Sequence, residues 1–173
     1  YITDPRDRKS GLARILLLEG IDKHMKEFFV KPENQEIFLC STLHRDNLSS
    51  KYVSEFFGLI DSLYVNRRQG RDREVHICKI KREKAMEYLA SISDKLAVLY
   101  GYNPEHKNIS ESTRIRVLNE QLQYEQKEFD RLIKAKTSDK NFKGINVKFI
   151  ESKRQKIRRL QQTINRAKEE KEI

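Results

Sequence analysis

Apolar residues recur at steps of three and four positions along most of this chain, and that spacing places them on one face of an α-helix. The clearest run comprises Ala85, Leu89, Ile92, Leu96 and Leu99, which predicts a helix over about 82–100. Strand-like alternation is confined to a short segment in the middle of the chain. The expected fold class is therefore mainly α.

The apolar stripes are narrow. Hydrophobic residues make up 37% of the 173 positions and charged residues 36%, whereas typical domains contain about 45–50% apolar residues. Such a chain suits an elongated protein with long, solvent-exposed helices. The clearest loop covers residues 101–108 and contains Pro104. The sequence predicts one domain over 1–100 and a second over 109–173.

Two helices are predicted at the start of the first domain. The first begins after Ser10, which can cap it, and ends before Pro32, while Gly20 weakens or splits its middle. The second is short and covers residues 33–44. Its apolar face is formed by Ile37, Cys40 and Leu43.

A third helix and a β-hairpin follow. The helix is predicted over 49–63, with Ser49 as its cap, and it is expected to run through Gly58. Residues 64–65 and 75–80 have strand character and flank a polar loop. Two short β segments around a loop that contains glycine predict a hairpin.

The second domain is predicted to be a long antiparallel, coiled-coil-like helical hairpin. One helix covers 109–136, with a heptad-like seam that Glu125 interrupts, and the other covers 147–171. A turn region over 138–146 joins them. Each seam is too thin to be stable alone, so the two helices need each other, the first 100 residues or a second copy of the chain.

The charge balance points to a polyanionic partner. The formal net charge is +10 and the isoelectric point is 9.6, which passes the usual threshold for a nucleic-acid-binding domain. A solvated basic surface, or a basic scaffold, would have the same composition. No apolar run approaches the roughly 18 residues that cross a bilayer. Cys40 and Cys78 are interpreted as small core side chains in a reducing, intracellular compartment.

Three segments resemble a known DNA-binding architecture. They are Ser49-Ser50-Lys51-Tyr52-Val53-Ser54-Glu55-Phe56-Phe57, then Leu63-Tyr64-Val65, then Arg67-Arg68-Gln69-Gly70-Arg71-Asp72-Arg73-Glu74-Val75. In this order they resemble the winged helix-turn-helix superfamily, and the third segment is similar to the wing of MarR-type regulators. The resemblance implies a recognition helix over 49–63 in the major groove. It also implies a basic wing over 66–74 against the flanking backbone.

The candidate DNA contacts fall into three groups. Hydroxyls and a lysine at the helix start suit phosphate positioning and modest base readout, and arginines at a hairpin tip suit a phosphate backbone or a minor groove. Further lysines follow the hairpin. The candidates are Ser49, Ser50, Lys51, Tyr52 and Ser54, then Arg67, Arg68, Arg71 and Arg73, then Lys79 and Lys81. Asp72 is placed to hold one of the arginines by an ion pair. The alternative is a solvated hairpin beside an ordinary helix.

A second basic cluster lies on the last predicted helix. It consists of Lys148, Lys153, Arg154, Lys156, Arg158, Arg159 and Arg166. These residues either track phosphates or form the solvated face of the helical hairpin, paired with acids of the preceding helix such as Glu120, Glu125 and Glu128.

No constellation for catalysis is found, so we expect neither an enzyme nor a cofactor. A zinc site from Cys40, His44, His76 and Cys78 is geometrically conceivable. However, Val75 and Ile77 are expected to take the core side of their strand, which leaves His76 and Cys78 outward, and no metal site is predicted.

The function expected is sequence-specific binding of double-stranded DNA by a homodimeric transcriptional regulator. The alternative is an assembly module that binds a protein partner through 109–173, in replication or segregation machinery. RNA binding is a third reading, with Tyr52 and Tyr64 as the aromatic residues near the basic loop.

Overall fold

The structure is a computed structural model that describes residues 11–44, 47–68, 71–103, 106–138 and 147–169, with the backbone alone at 48, 61–68, 71–72, 135–138 and 147–148. Its elements are α1 (Leu12–Phe28), β1 (Glu36–His44), α2 (Leu48–Phe56), β2 (Ile60–Arg68), β3 (Arg71–Lys81), α3 (Ala85–Tyr100), α4 (Glu111–Ser138) and α5 (Val147–Glu169), with a 3-10 turn at Arg82–Lys84 before α3. Over these residues the fold is mainly helical, as predicted. The chain divides into two compact units, one of residues up to 96 with 100–103, the other of 97–99 with the residues from 104 onward.

Helix α1 runs without a break through Gly20. The predicted cap, Ser10, lies outside the described residues; the position before the helix is Gly11, whose φ is 84°. A side chain at Gly11 would meet the Tyr100 ring at 2.7 Å, so both the backbone angle and the close contact require glycine. The loop after α1 is held by Arg82, which donates to backbone carbonyls at positions 29, 31, 32 and 34.

The helix predicted over 33–44 is wrong, because most of this segment forms strand β1. Ile37 and Leu43 are buried, while Phe38, Cys40 and Thr42 between them are exposed. That alternation has a period of two, as in a half-buried strand. All nine residues of β1 pair with β3, so the backbone groups of β1 that point towards β3 form the hydrogen bonds of an antiparallel ladder. The interpretation of Cys40 as a core side chain is therefore also wrong.

Helix α2 is shorter than the predicted 49–63. It is capped by Asn47 rather than Ser49, since the Asn47 side chain accepts a hydrogen bond from the Ser50 N–H at 3.1 Å. It ends at Phe56, before Gly58, which has a φ of 71°. A left-handed glycine just past the last turn terminates a helix. The expectation that the helix continues through Gly58 is wrong, and residues 60–68 form β2 instead.

The three strands form an antiparallel sheet in the order β1-β3-β2. The predicted β-hairpin is confirmed. It is formed by β2 and β3, which pair up to Arg68 opposite Arg71. The prediction that His76 and Cys78 face outward from β3 is wrong. His76 is only 4% exposed, Ile80 only 3%, and Cys78 packs against the core. Ile80 lies opposite buried Ile37, and this pair makes the even-numbered residues of β3 face inward.

The core of the first unit lies between one face of the sheet and the three helices α1, α2 and α3. The predicted α3 stripe is confirmed at Ala85, Leu89, Ile92 and Leu96, which are all buried. They pack with Leu18 and Met25 of α1, Ile37 and Ile80 of the sheet, and Phe57 and Leu59 after α2. Tyr88 donates its hydroxyl proton to the Phe57 carbonyl at 2.9 Å.

The second unit contains α4 and α5, which pack against each other. Their bounds are close to the predicted 109–136 and 147–171, and residues 139–146 lie outside the described part. Buried side chains come from both helices: Val117, Leu118 and Glu125 from α4, and Ile150, Ile164 and Ala167 from α5.

Candidate nucleic-acid interface

The start of α2 lies next to β3 near the end of the β2–β3 hairpin. The Lys51 ammonium on α2 is 3.9 Å from the carboxylate of Glu74 on β3. The same Glu74 oxygen lies 3.2 Å from Nε2 of His76. The fold thus places the first turn of α2 beside β3 at Glu74. We call the region formed by 49–51 and by the strand ends at 67–68 and 71–73 the hairpin surface.

The predicted contacts on α2 differ in accessibility. Ser49 is exposed, and the side chain of Lys51 is 32% exposed. Ser54 is 6% exposed, and its hydroxyl lies 2.6 Å from that of Ser41 on β1. The helix therefore presents its first turn, with Ser49, Ser50 and Lys51, while Ser54 faces the sheet.

Tyr52 takes part in a cluster of rings around one cation. The Arg14 guanidinium of α1 lies 5.2 Å from the Tyr52 ring centroid, 5.0 Å from that of Phe56 and 5.3 Å from that of Tyr100. Such cation–π contacts stabilise by about 0.5–2 kcal/mol each, more when water is excluded. Tyr52 thus helps to fix α2 against α1 and the end of α3.

The arginines of the hairpin are placed by the strand register. Arg68 lies opposite Arg71, and Arg67 opposite Asp72. The side chains of Arg67, Arg68, Arg71 and Asp72 lie outside the described residues, as does the predicted aiming of an arginine by Asp72. Arg73 lies opposite His44 of β1 and, by strand alternation, on the same side of the sheet as Lys79 and Lys81. Its Nε atom is shielded from solvent and has no hydrogen-bond partner among the described residues.

Lys79 and Lys81 are not part of the hairpin surface. They lie opposite Phe38 and Glu36 of β1, on the side of the sheet that faces away from the helices. Lys79 forms an ion pair with Glu36, and its ammonium lies 5.4 Å from the Phe38 ring centroid. The third group of predicted contacts therefore belongs to a second surface.

Metal ligation finds no support in the side-chain positions. Within the described ranges, no group of three or more His, Cys, Asp and Glu residues is arranged to hold a metal ion. Cys40 is exposed and Cys78 is half-buried. Burial raises the pKa of the Cys78 thiol above its ordinary value, which keeps that side chain protonated and unreactive at neutral pH.

A cavity of about 470 Å³ lies between α1, β1 and α2. Most of its lining is apolar, including Leu17, Ile21 and Val53. The Ser41 and Ser54 hydroxyls reach its wall, where they bind each other. The sequence did not indicate this cavity, because it depends on β1 being a strand.

The basic cluster of α5 is used partly for packing. Lys153 and Lys156 both bind the buried Glu125 carboxylate of α4, at 2.6 and 2.7 Å. Glu120 and Glu128 instead bind arginines of their own helix, Arg116 and Arg131. Arg158, Arg159 and Arg166 are exposed.

None of the helices in the described ranges is long and apolar enough to cross a membrane. Comparisons of the chain with protein-family models, with curated proteins and with solved structures gave no match. The resemblance to the winged helix-turn-helix superfamily accordingly stays a prediction.

Proposed function

We propose that this protein binds double-stranded DNA through the hairpin surface. The observation that carries the proposal is the approach of Lys51 to Glu74. It sets the first turn of a helix beside a hairpin whose end carries four arginines between positions 67 and 73. A helix start next to the end of an arginine-bearing hairpin can contact a groove and the adjoining backbone together.

The first turn of α2 has suitable chemistry for phosphates and base edges. Backbone N–H groups at a helix start carry partial positive charge and attract phosphate oxygens. Ser49, Ser50 and Lys51 add hydroxyl and ammonium donors in the same turn. The α2 helix of nine residues, about 13 Å long at 1.5 Å per residue, is sufficient to enter a major groove about 12 Å wide.

The structure has fewer features of a winged helix-turn-helix than the sequence predicted. The sheet order β1-β3-β2 and the helix directly before the hairpin are compatible with such a shape. The first helix of the predicted helix-turn-helix pair is replaced by β1, so α2 is the single helix between β1 and β2. Our proposal therefore depends on α2 and the hairpin, and not on a two-helix motif.

The dimeric regulator proposed from the sequence is an extension of this function. Two copies joined through the α4–α5 unit would present two hairpin surfaces to a pseudo-palindromic site. Half-sites about one helical turn apart are then expected. Measuring the mass of the protein in solution, with and without DNA, tests this extension separately from DNA binding.

The test of the hairpin surface is a salt titration of duplex DNA binding by the Arg71→Ala, Arg73→Ala variant. Each lost phosphate contact lowers the slope of log K against log salt by about 0.9, so we expect the slope to fall by up to about 1.8. The matched control is Arg116→Ala with Arg131→Ala, which removes the same charge from exposed positions on α4. An unchanged slope in the first variant, or an equal change in both, would reject the hairpin surface.

A protein partner at 109–173 is the second candidate, and one observation favours it. Phe149 on α5 is 46% exposed, so an aromatic side chain of this unit is accessible to a partner protein. A module of this kind would show saturable binding to one protein and none to duplex DNA at any salt concentration.

A further inference from the structure

The side of the sheet that faces away from the helices is open and carries apolar side chains at its centre. Phe38 is 57% exposed and Ile60 is 62% exposed. The register sets Cys40, Ile77 and Ile60 in one row across the three strands, and Phe38 beside Lys79 in the next. We call this surface the open face. Ser41 and the buried core lie on the other side of the sheet.

Cations lie at both ends of this apolar centre. Lys79 and Lys81 lie towards one end, and Arg73 lies towards the other, on the same face by strand alternation. About 26 Å of strand separates Arg73 from Lys81, at about 3.3 Å per residue. Two carboxylates, Glu36 and Glu83, lie near the lysines. These are exposed ion pairs, which contribute little and exchange readily for a phosphate.

We propose that the open face binds single-stranded nucleic acid, with an unpaired base stacked on Phe38. Every base has a π face, so an exposed aromatic ring on a sheet accepts bases without reading sequence. The Lys79 ammonium lies over the Phe38 ring, 5.4 Å from its centroid; a stacking base would displace it from the ring face, and the flexible lysine could then bind the phosphate of the same nucleotide. A duplex cannot use this ring, because its bases are stacked on one another. This function is therefore additional to that of the hairpin surface, which is formed by the start of α2 and the hairpin end; Arg73 belongs to both surfaces.

Replacing the ring at position 38 distinguishes stacking from simple apolar docking. The Phe38→Leu variant keeps an apolar side chain and loses the π face, whereas Phe38→Tyr keeps both. The probe is a fluorescent single strand of about twelve nucleotides, prepared as DNA and as RNA, and binding is followed by anisotropy. We expect Phe38→Leu to weaken binding roughly 5- to 150-fold, the range found for one stacked base. Phe38→Tyr should stay close to the parent protein.

Two controls separate this proposal from the others. Met86→Leu alters another exposed apolar side chain, on α3, and should leave single-strand affinity unchanged. Duplex binding should be unchanged in Phe38→Leu, so loss of the hairpin surface and loss of the open face have different readouts. Far-UV circular dichroism checks that each variant is folded.

Three results would overturn the proposal. The first is a parent protein that does not bind single strands. The second is Phe38→Leu binding single strands as tightly as Phe38→Tyr does. The third is a parent protein whose solution mass shows dimers that Phe38→Leu dissociates, which would assign the open face to a second copy of this chain.

Discussion

A carboxylate buried between two helices gives the sharpest stability prediction for this protein. Glu125 of α4 is 0% exposed and binds three donors: Lys153 Nζ at 2.6 Å, Lys156 Nζ at 2.7 Å and Gln121 Nε2 at 2.9 Å. Replacing Glu125 by leucine removes the negative charge and leaves the Lys153 ammonium, whose side chain is 14% exposed, without its counter-ion.

The size of the effect follows from the exposure of the two lysines. Removing one partner of a buried ion pair costs about 3–5 kcal/mol. Lys156 is 51% exposed and can return to water, so we expect the lower end, about 3 kcal/mol, for Glu125→Leu. Replacing Lys156 by alanine should cost at most about 1 kcal/mol. Replacing Glu125 and Lys153 together by leucine removes both buried charges and should cost much less than Glu125→Leu alone.

The assay is urea unfolding followed by circular dichroism at the helical signal, on Glu125→Leu, Lys153→Leu and Lys156→Ala and on the Glu125→Leu, Lys153→Leu double variant. Glu120→Gln is the matched control, since Glu120 is an exposed acid of the same helix that binds Arg116, and it should change the unfolding free energy by about 0.5 kcal/mol or less. We expect the double variant to be more stable than Glu125→Leu. If the double variant loses as much unfolding free energy as the Glu125 and Lys153 single variants together, the claim that a buried, uncompensated charge causes the destabilisation is refuted.

Two further predictions concern the first unit. Alanine at Gly20 should stabilise the protein by roughly 0.5–1 kcal/mol, because Gly20 is inside α1 and the added methyl group has free space. Alanine at Gly58 should destabilise it by about 1–2 kcal/mol, because φ there is 71°. Urea unfolding measures both changes, and effects of the same sign would contradict this account. Burial raises the pKa of Tyr88, so the phenol ionises more readily in the unfolded chain, whose tyrosine pKa is about 10. Stability from this group is therefore complete below about pH 10 and is lost as pH rises further. Tyr88→Phe should remove part of that alkaline loss while costing about 1 kcal/mol at neutral pH through the hydrogen bond to Phe57. Identical alkaline profiles for the parent protein and Tyr88→Phe would contradict the reasoning.

The sequence was most informative where one helix face carries many apolar residues. The α3 stripe repeats over four turns, and only a helix satisfies all of its positions, so both the element and its buried residues were predicted. The spacing of Ile37, Cys40 and Leu43 fits a helix equally well by chance. What decides in favour of a strand is pairing with β3, and strand formation depends on such partners more than on local preference.

The candidate site was predictable in part. The basic hairpin follows from turn chemistry, and its position beside α2 agrees with the predicted order of elements. The end of α2 was misplaced because Gly58 was treated as an interior residue and not as a terminator. The inward side of β3 is set by Ile80 opposite Ile37, a tertiary pair that hydropathy at Val75 and Ile77 does not indicate. Equally, a loop-binding role for Arg82 cannot be read from a cluster of basic residues.

The three rings around Arg14 have a thermodynamic consequence for any ligand of α2. Because this contact ties α2 to α1 and to Tyr100, the helix loses its orientational freedom when the chain folds and not when a partner arrives. Association at this helix should then resemble the meeting of two rigid bodies, with little ordering entropy to offset and without the large heat-capacity change of coupled folding.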